Sequence, residues 1–126
     1  LYNTALTLRK ALLDEAITRC DSPLEWIRAA MEADPLVGKV VTSVETQAKH
    51  LLIRFSRATG DLSPADPVLH THLRMTGSWH IYRPGERWRK PAAYAKIVLH
   101  TSRLVVPCFS APVVQLSTAR AVERHP

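Results

Sequence analysis

The period of apolar residues changes once along the chain, near Gly38. Before it, apolar positions recur at helical spacing. In TALTLRKALLDEA, residues 4–16, Ala5, Leu8, Leu12 and Leu13 line one face, with Thr4 placed to cap the start. ITRCD, residues 17–21, reads as a short extended piece. SPLEWIRAAMEAD follows as a second helix. Ser22 stands at the N-cap, Pro23 at the first helical position and Glu25 three residues after Ser22, as in a capping box. Leu24, Ile27 and Met31 form its stripe, and Asp34–Pro35 ends it.

After Gly38 the period is two. KVVTSVETQ, KHLLIRF, VLHTHLRM, SWHIYR, YAKIVLHT, RLVVPCF and VVQL read as short strands. A polar loop, RATGDLSPADP, and a turn at Arg83–Glu86 interrupt them. About seven or eight strands at this spacing, behind two helices, predict an antiparallel sandwich or barrel. The closing TARAVERHP has no partner in the pattern and is expected to fray.

One strand is unusual. In LHTHLRM, Leu69, Thr71, Leu73 and Met75 alternate with His70, His72 and Arg74. One face is therefore apolar up to Met75, and the other carries an imidazole and cationic row.

Composition narrows the partner for that row. The chain has 126 residues, one domain's worth, with 17 Lys plus Arg against 11 Asp plus Glu and a net charge of +6. Such a balance suits a polyanion, nucleic acid before an anionic membrane. It also serves simple solubility. No apolar run is long enough for a membrane helix. Cys20 and Cys108 are isolated, without CxxC spacing, and read as reduced thiols of an intracellular chain, with a single bridge between them left open.

Candidate chemistry follows. Lys49 heads a strand, where a lysine is ordinarily a solvated charge but can serve a phosphate as a point charge. His70 and His72 share a strand face. A metal there would need a third ligand from His50, His80 or His100, and Arg74 opposes a dication. Met75 before Gly77 is either core or an exposed wedge able to enter a base stack. Trp79, Tyr82, Trp88 and Phe109 could stack on bases, with burial the commoner fate. Glu45 and Glu86 are isolated, and neither a Ser/His/Asp order nor a phosphate loop appears.

Together, SVETQAKHLLIRF, VLHTHLRMTGSWHIYRPGERW and VVPCFSAPVVQL resemble the N-terminal domain of the formamidopyrimidine-DNA glycosylase / endonuclease VIII family, closest to its endonuclease VIII-like branch, over residues 1–118. The resemblance implies a mainly β, α+β fold: a two-layer antiparallel β-sandwich of about eight strands flanked by N-terminal helices. Residues 119–126 would begin an interdomain linker. It implies a base-excision-repair enzyme that flips out an oxidised base, removes it and nicks the abasic site. Flipping is required because the glycosidic carbon is inaccessible inside a stacked duplex.

The resemblance matches Lys49 and His72 to phosphate contacts, with Arg74 beside them. It matches Met75 to the residue that fills the void left by the flipped nucleotide, and Phe109 to an aromatic wedge at the opposite strand. The expected partner is double-stranded DNA with a damaged base or an abasic site. A monomer is expected, in the cytoplasm with the nucleoid, without a membrane. No cofactor is expected in this chain, because the family's zinc finger lies in its C-terminal part.

The pattern departs from the family in places. The family's nucleophile is an N-terminal proline followed by glutamate, and LYNTALTLRKALL is expected to begin just after them. No catalytic residue is therefore assigned, and the chain alone is expected to be inactive. Pro107–Cys108 also stands where the formamidopyrimidine branch has an arginine before its wedge phenylalanine. A non-enzymatic nucleic-acid-binding module on the same fold is the alternative.

Overall fold

A computed structural model describes residues 1–57 and 61–123. Two four-stranded antiparallel sheets pack face to face. One has the order β2-β3-β4-β8 and the other β1-β6-β7-β5. The first contains β2 (Lys39–Gln47), β3 (His50–Arg57), β4 (Pro67–His72) and β8 (Val113–Thr118). The second contains β1 (Arg19–Asp21), β5 (Ser78–Trp79), β6 (Ala95–His100) and β7 (Val105–Phe109). Helices α1 (Tyr2–Leu12) and α2 (Glu25–Ala33) flank the sandwich, and a short α3 (Ala119–Glu123) follows β8. The expected two-layer sandwich of eight strands behind two helices is the fold observed.

The core lies between the layers. Leu51, Ile53, Phe55 and Leu69 from one sheet meet Ile97, Leu99, Val106 and Cys108 from the other. Leu8 and Leu12 of α1 and Ile27 of α2 close it. Helical spacing marked these residues correctly, since one stripe of each helix is all that is buried. In β2, Val41 and Val44 are both inward although three residues apart. The β2–β3 register slips between Val41 and Ser43, and this bulge resets the alternation.

Several boundaries differ from the sequence expectation. Helix α1 stops at Leu12, because Leu13 is extended and Asp14 is left-handed at φ 66°. Helix α2 starts at Glu25 with Leu24 at its N-cap, so the capping box does not form. Ser22 instead accepts the Leu24 N–H at 3.1 Å and donates to the Lys96 carbonyl at 2.5 Å, tying the helix entry to β6. SWHIYR is a strand only at Ser78–Trp79. It continues along β7 through His80 N–H to the Pro107 carbonyl and a single bridge from Tyr82 to Val105. The tail is helical through Glu123, anchored by Ala119 N–H to the Asp66 carbonyl and Arg120 N–H to the Pro64 carbonyl. The rest of that expectation, residues 124–126, lies outside the described residues.

Candidate nucleic-acid interface

Three elements converge at one edge of the first sheet. Hairpin β2–β3 turns over two residues, Ala48 and Lys49, with Gln47 paired to His50. Ala48 sits at φ 56°, the left-handed setting that a tight hairpin demands of its first central residue. This presents Lys49 as an exposed cation at the tip. The β3–β4 register, Leu51 opposite Thr71, carries His50 to His72. The His50 ring lies 4.5 Å from both the His70 and His72 rings, and His50 Nδ1 is 2.5 Å from His70 Nε2.

Lys49, His50, His70, His72 and Arg74 therefore form one group. Partial burial lowers the His70 pKa first, followed by the charges of His50 and His72. His72 is lowered by partial desolvation and by the charges of His50, Arg74 and Lys49. Both imidazoles are thus biased toward the neutral form at pH 7, able to donate one N–H each. Among the described residues, no set of three His, Cys, Asp or Glu side chains is arranged to hold a metal. His50 and His70 instead spend a ring nitrogen on each other.

The alternation that runs through β4 stops at Arg74. Its φ of 51° turns the chain out of the strand. Leu69, Thr71 and Leu73 are buried as expected, but Met75 is 98% exposed. The loop beneath it is closed. Gly77 N–H donates to the Leu73 carbonyl at 2.8 Å, and Thr76 Oγ1 donates to the Ser110 carbonyl at 3.0 Å. Trp79 Nε1 reaches Thr71 Oγ1 at 3.3 Å, joining the two sheets under the loop. A β-carbon on Gly77 would stand 2.7 Å from the Leu73 carbonyl oxygen, so only glycine fits. The result is an apolar side chain held out on a braced turn with Arg74 beside it.

Phe109 is placed differently from the expected wedge. It is fully buried, paired through β7 with Ser78 of β5. Its ring meets Trp88 edge-on at 5.6 Å and His80 at 4.8 Å. An aromatic at the inner end of a central strand has more to gain from burial than from protrusion. Its ring joins Tyr82, Ala95 and Val98 in a second apolar cluster, with Trp88 packed against it. Trp79 and Tyr82 are buried as well, and Trp88 is half-buried, stacked on Tyr82 at 5.9 Å.

The acids lie elsewhere. Asp34 pairs with Lys39, Glu45 with Arg54, Asp21 with Arg19 and His100, and Glu15 with Arg103. Among the described residues, none forms an ion pair with Lys49 or Arg74. Cys20 and Cys108 are unbonded, and burial pushes each thiol up to about 12, which leaves them unreactive.

Fold and site together define a small basic β-sandwich that holds an exposed methionine among cations and imidazoles. Residues 1–116 match the model of the formamidopyrimidine-DNA glycosylase N-terminal domain, and the chain belongs to that family. It is similar to the probable endonuclease 8 2 of Streptomyces coelicolor, with 31% identity over 92% of this chain and 38% of that protein. It is also similar to endonuclease 8 2 of Mycobacterium tuberculosis, with 32% identity over 99% of this chain and 42% of that protein. The chain thus spans about two fifths of the length of these relatives. Among solved structures, Lactococcus lactis Fpg in complex with DNA containing N7-benzyl-Fapy-dG aligns over 95% of this chain and 43% of its own, with TM-score 0.72 and 16% identity. The same enzyme bound to DNA with an abasic site gives TM-score 0.71 at 14% identity, over 95% of this chain and 45% of its own. These likenesses show the same fold.

Proposed function

We propose that this chain is the lesion-sensing half of a DNA glycosylase/AP lyase acting on oxidised bases. Lys49, His72 and Arg74 hold backbone phosphates near the damaged nucleotide, and Met75 fills the stack when that nucleotide flips out. The observation that carries this reading is the braced, exposed Met75 beside cations that have no ion-pair partner among the described residues. Exposing a methionine costs hydrophobic free energy, about 1.5–3 kcal/mol against burial, and a duplex interior offers an apolar place for it. The loop is closed before any ligand arrives, so little ordering cost remains at binding.

The intact enzyme would displace the base through the family's N-terminal proline and cleave by elimination. The residues proposed here bind and reshape DNA, and none of them is proposed as that nucleophile. Its place would be the cytoplasm, at the nucleoid, as a monomer. Residues 1–118 would form the sandwich domain, with 119–126 leading into a linker.

Fluorescence anisotropy with two labelled duplexes, one containing a stable abasic analogue and one undamaged, tests the reading. The chain is expected to bind the abasic duplex more tightly. Met75→Ala should erase that preference while leaving affinity for the undamaged duplex unchanged. Lys49→Gln should weaken both and lower the salt slope by about one. Equal binding of both duplexes by the unaltered chain would leave only a basic surface meeting phosphates, as in a non-enzymatic module.

A further inference from the structure

A second row of polar groups lies on the β5 side of the Met75 loop. Arg89 N–H donates to the Tyr82 hydroxyl oxygen at 2.9 Å. That hydroxyl is 2.7 Å from His80 Nδ1. His80 Nε2 is 3.3 Å from Ser78 Oγ, and Lys90 Nζ donates to the same Ser78 oxygen at 2.9 Å.

Burial settles where the protons are. Tyr82 is 1% exposed, so its hydroxyl hydrogen needs an internal acceptor, and His80 Nδ1 is the one in reach. His80 therefore carries its proton on Nε2 and donates to Ser78. Ser78 Oγ then accepts from both His80 and Lys90, and both lone pairs are used. What remains at the outer end is all donor: the Ser78 O–H and two N–H groups of the Lys90 ammonium. Among the described residues, neither Lys90 nor Arg89 has a carboxylate in ion-pair contact. Glu86, the nearest acid in sequence, accepts the Arg83 backbone N–H instead.

A half-buried cluster with donors only fits an oxyanion with several lone pairs. Its position selects which one. Ser78 follows the braced loop directly, three residues after Met75, within on the order of 10 Å of backbone. Loop residues 73–77 link β4, whose side carries Lys49 and His72, to β5, whose side carries Ser78 and Lys90.

We propose that Lys90 and Ser78, with His80 as a positioning residue, form a second DNA-phosphate subsite on the β5 side of Met75. The duplex is then held by its backbone on both sides of the wedge. The side chain enters between two anchored phosphates rather than beside one. This subsite rests on the reading of Met75 given under Proposed function, and it extends the footprint to residues that reading does not use.

The test is DNA binding of the full chain across a salt series, with the abasic duplex as probe. Lys90→Gln should lower the slope of log affinity against log salt by about one and weaken binding severalfold at low salt. Lys90→Arg should restore the slope. Ser78→Ala keeps the charge, so it should weaken binding at unchanged slope. Thermal melts accompany each variant, and Ser78→Ala carries the test if Lys90→Gln melts early. If Lys49→Gln lowers the slope and neither Lys90→Gln nor Ser78→Ala changes affinity, the subsite is overturned and the wedge reading stands. If the unaltered chain shows no salt-dependent binding, both are overturned.

Discussion

At the residue scale, the decisive positions are Arg74 and Gly77. Strict alternation places Met75 with Leu73 inside. A single left-handed residue, Arg74, reverses that, and Gly77 lets the returning chain touch the Leu73 backbone. A non-glycine residue pays roughly 1–2 kcal/mol to sit left-handed. The Gly77 and Thr76 hydrogen bonds offset that cost at Arg74. Gly77→Ala is therefore expected to destabilise the chain by about 1–3 kcal/mol, read as a lower midpoint in urea. A midpoint equal to the parent's would show that the loop gives way freely and does not brace Met75. Phe109 teaches the converse lesson. Its type suits a wedge, but the register of β7 points it at Trp88 and His80.

At the element scale, hairpin β2–β3 and strand β4 bring three histidines from distant positions into one cluster. The cluster has a pH consequence. His70 and His72 have folded pKa values below the ordinary 6.5, and His80 is lowered too, by partial burial and by Arg89 and Lys90. The unfolded chain then binds more protons than the folded one below that value, so stability falls as pH drops through 6.5 toward the folded pKa. The denaturation midpoint should be lower at pH 5.5 than at pH 7.5, and His70→Gln should flatten the difference. A pH-independent midpoint would contradict the lowered values. A bound phosphate opposes this trend, because it favours the protonated imidazole.

At the scale of the whole molecule, one core serves both sheets and both long helices. Ile53 sits at its centre, fully buried in β3. Ile53→Ala is expected to cost about 2–5 kcal/mol. Far-ultraviolet circular dichroism and tryptophan fluorescence should still report coincident transitions. Separated transitions would mean that the layers unfold independently.

Much of this architecture was legible in advance. The change of period at Gly38 and the apolar stripes of the helices follow from burying one face of each element. That requirement acts locally, so the chain displays it locally. The row of His70 and His72 on β4 was legible for the same reason, whereas the resemblance to a DNA-repair family came from the motifs around Lys49, His72, Met75 and Phe109. Local pattern also placed Lys49 at a strand head and Met75 before a glycine.

Three things were decided only by tertiary structure. The exposure of Met75 depends on one backbone angle at Arg74 and on room left by Ala111 and Leu73 around Gly77. The histidine cluster depends on the β3–β4 register, which joins His50 to His70 and His72 across twenty residues of chain. The row from Arg89 to Lys90 depends on Tyr82 being buried beneath Trp88, which forces its hydroxyl onto His80. Hydrophobic periodicity records which face of an element is inside. It holds no record of which partner that face meets, or of where a strand lets go.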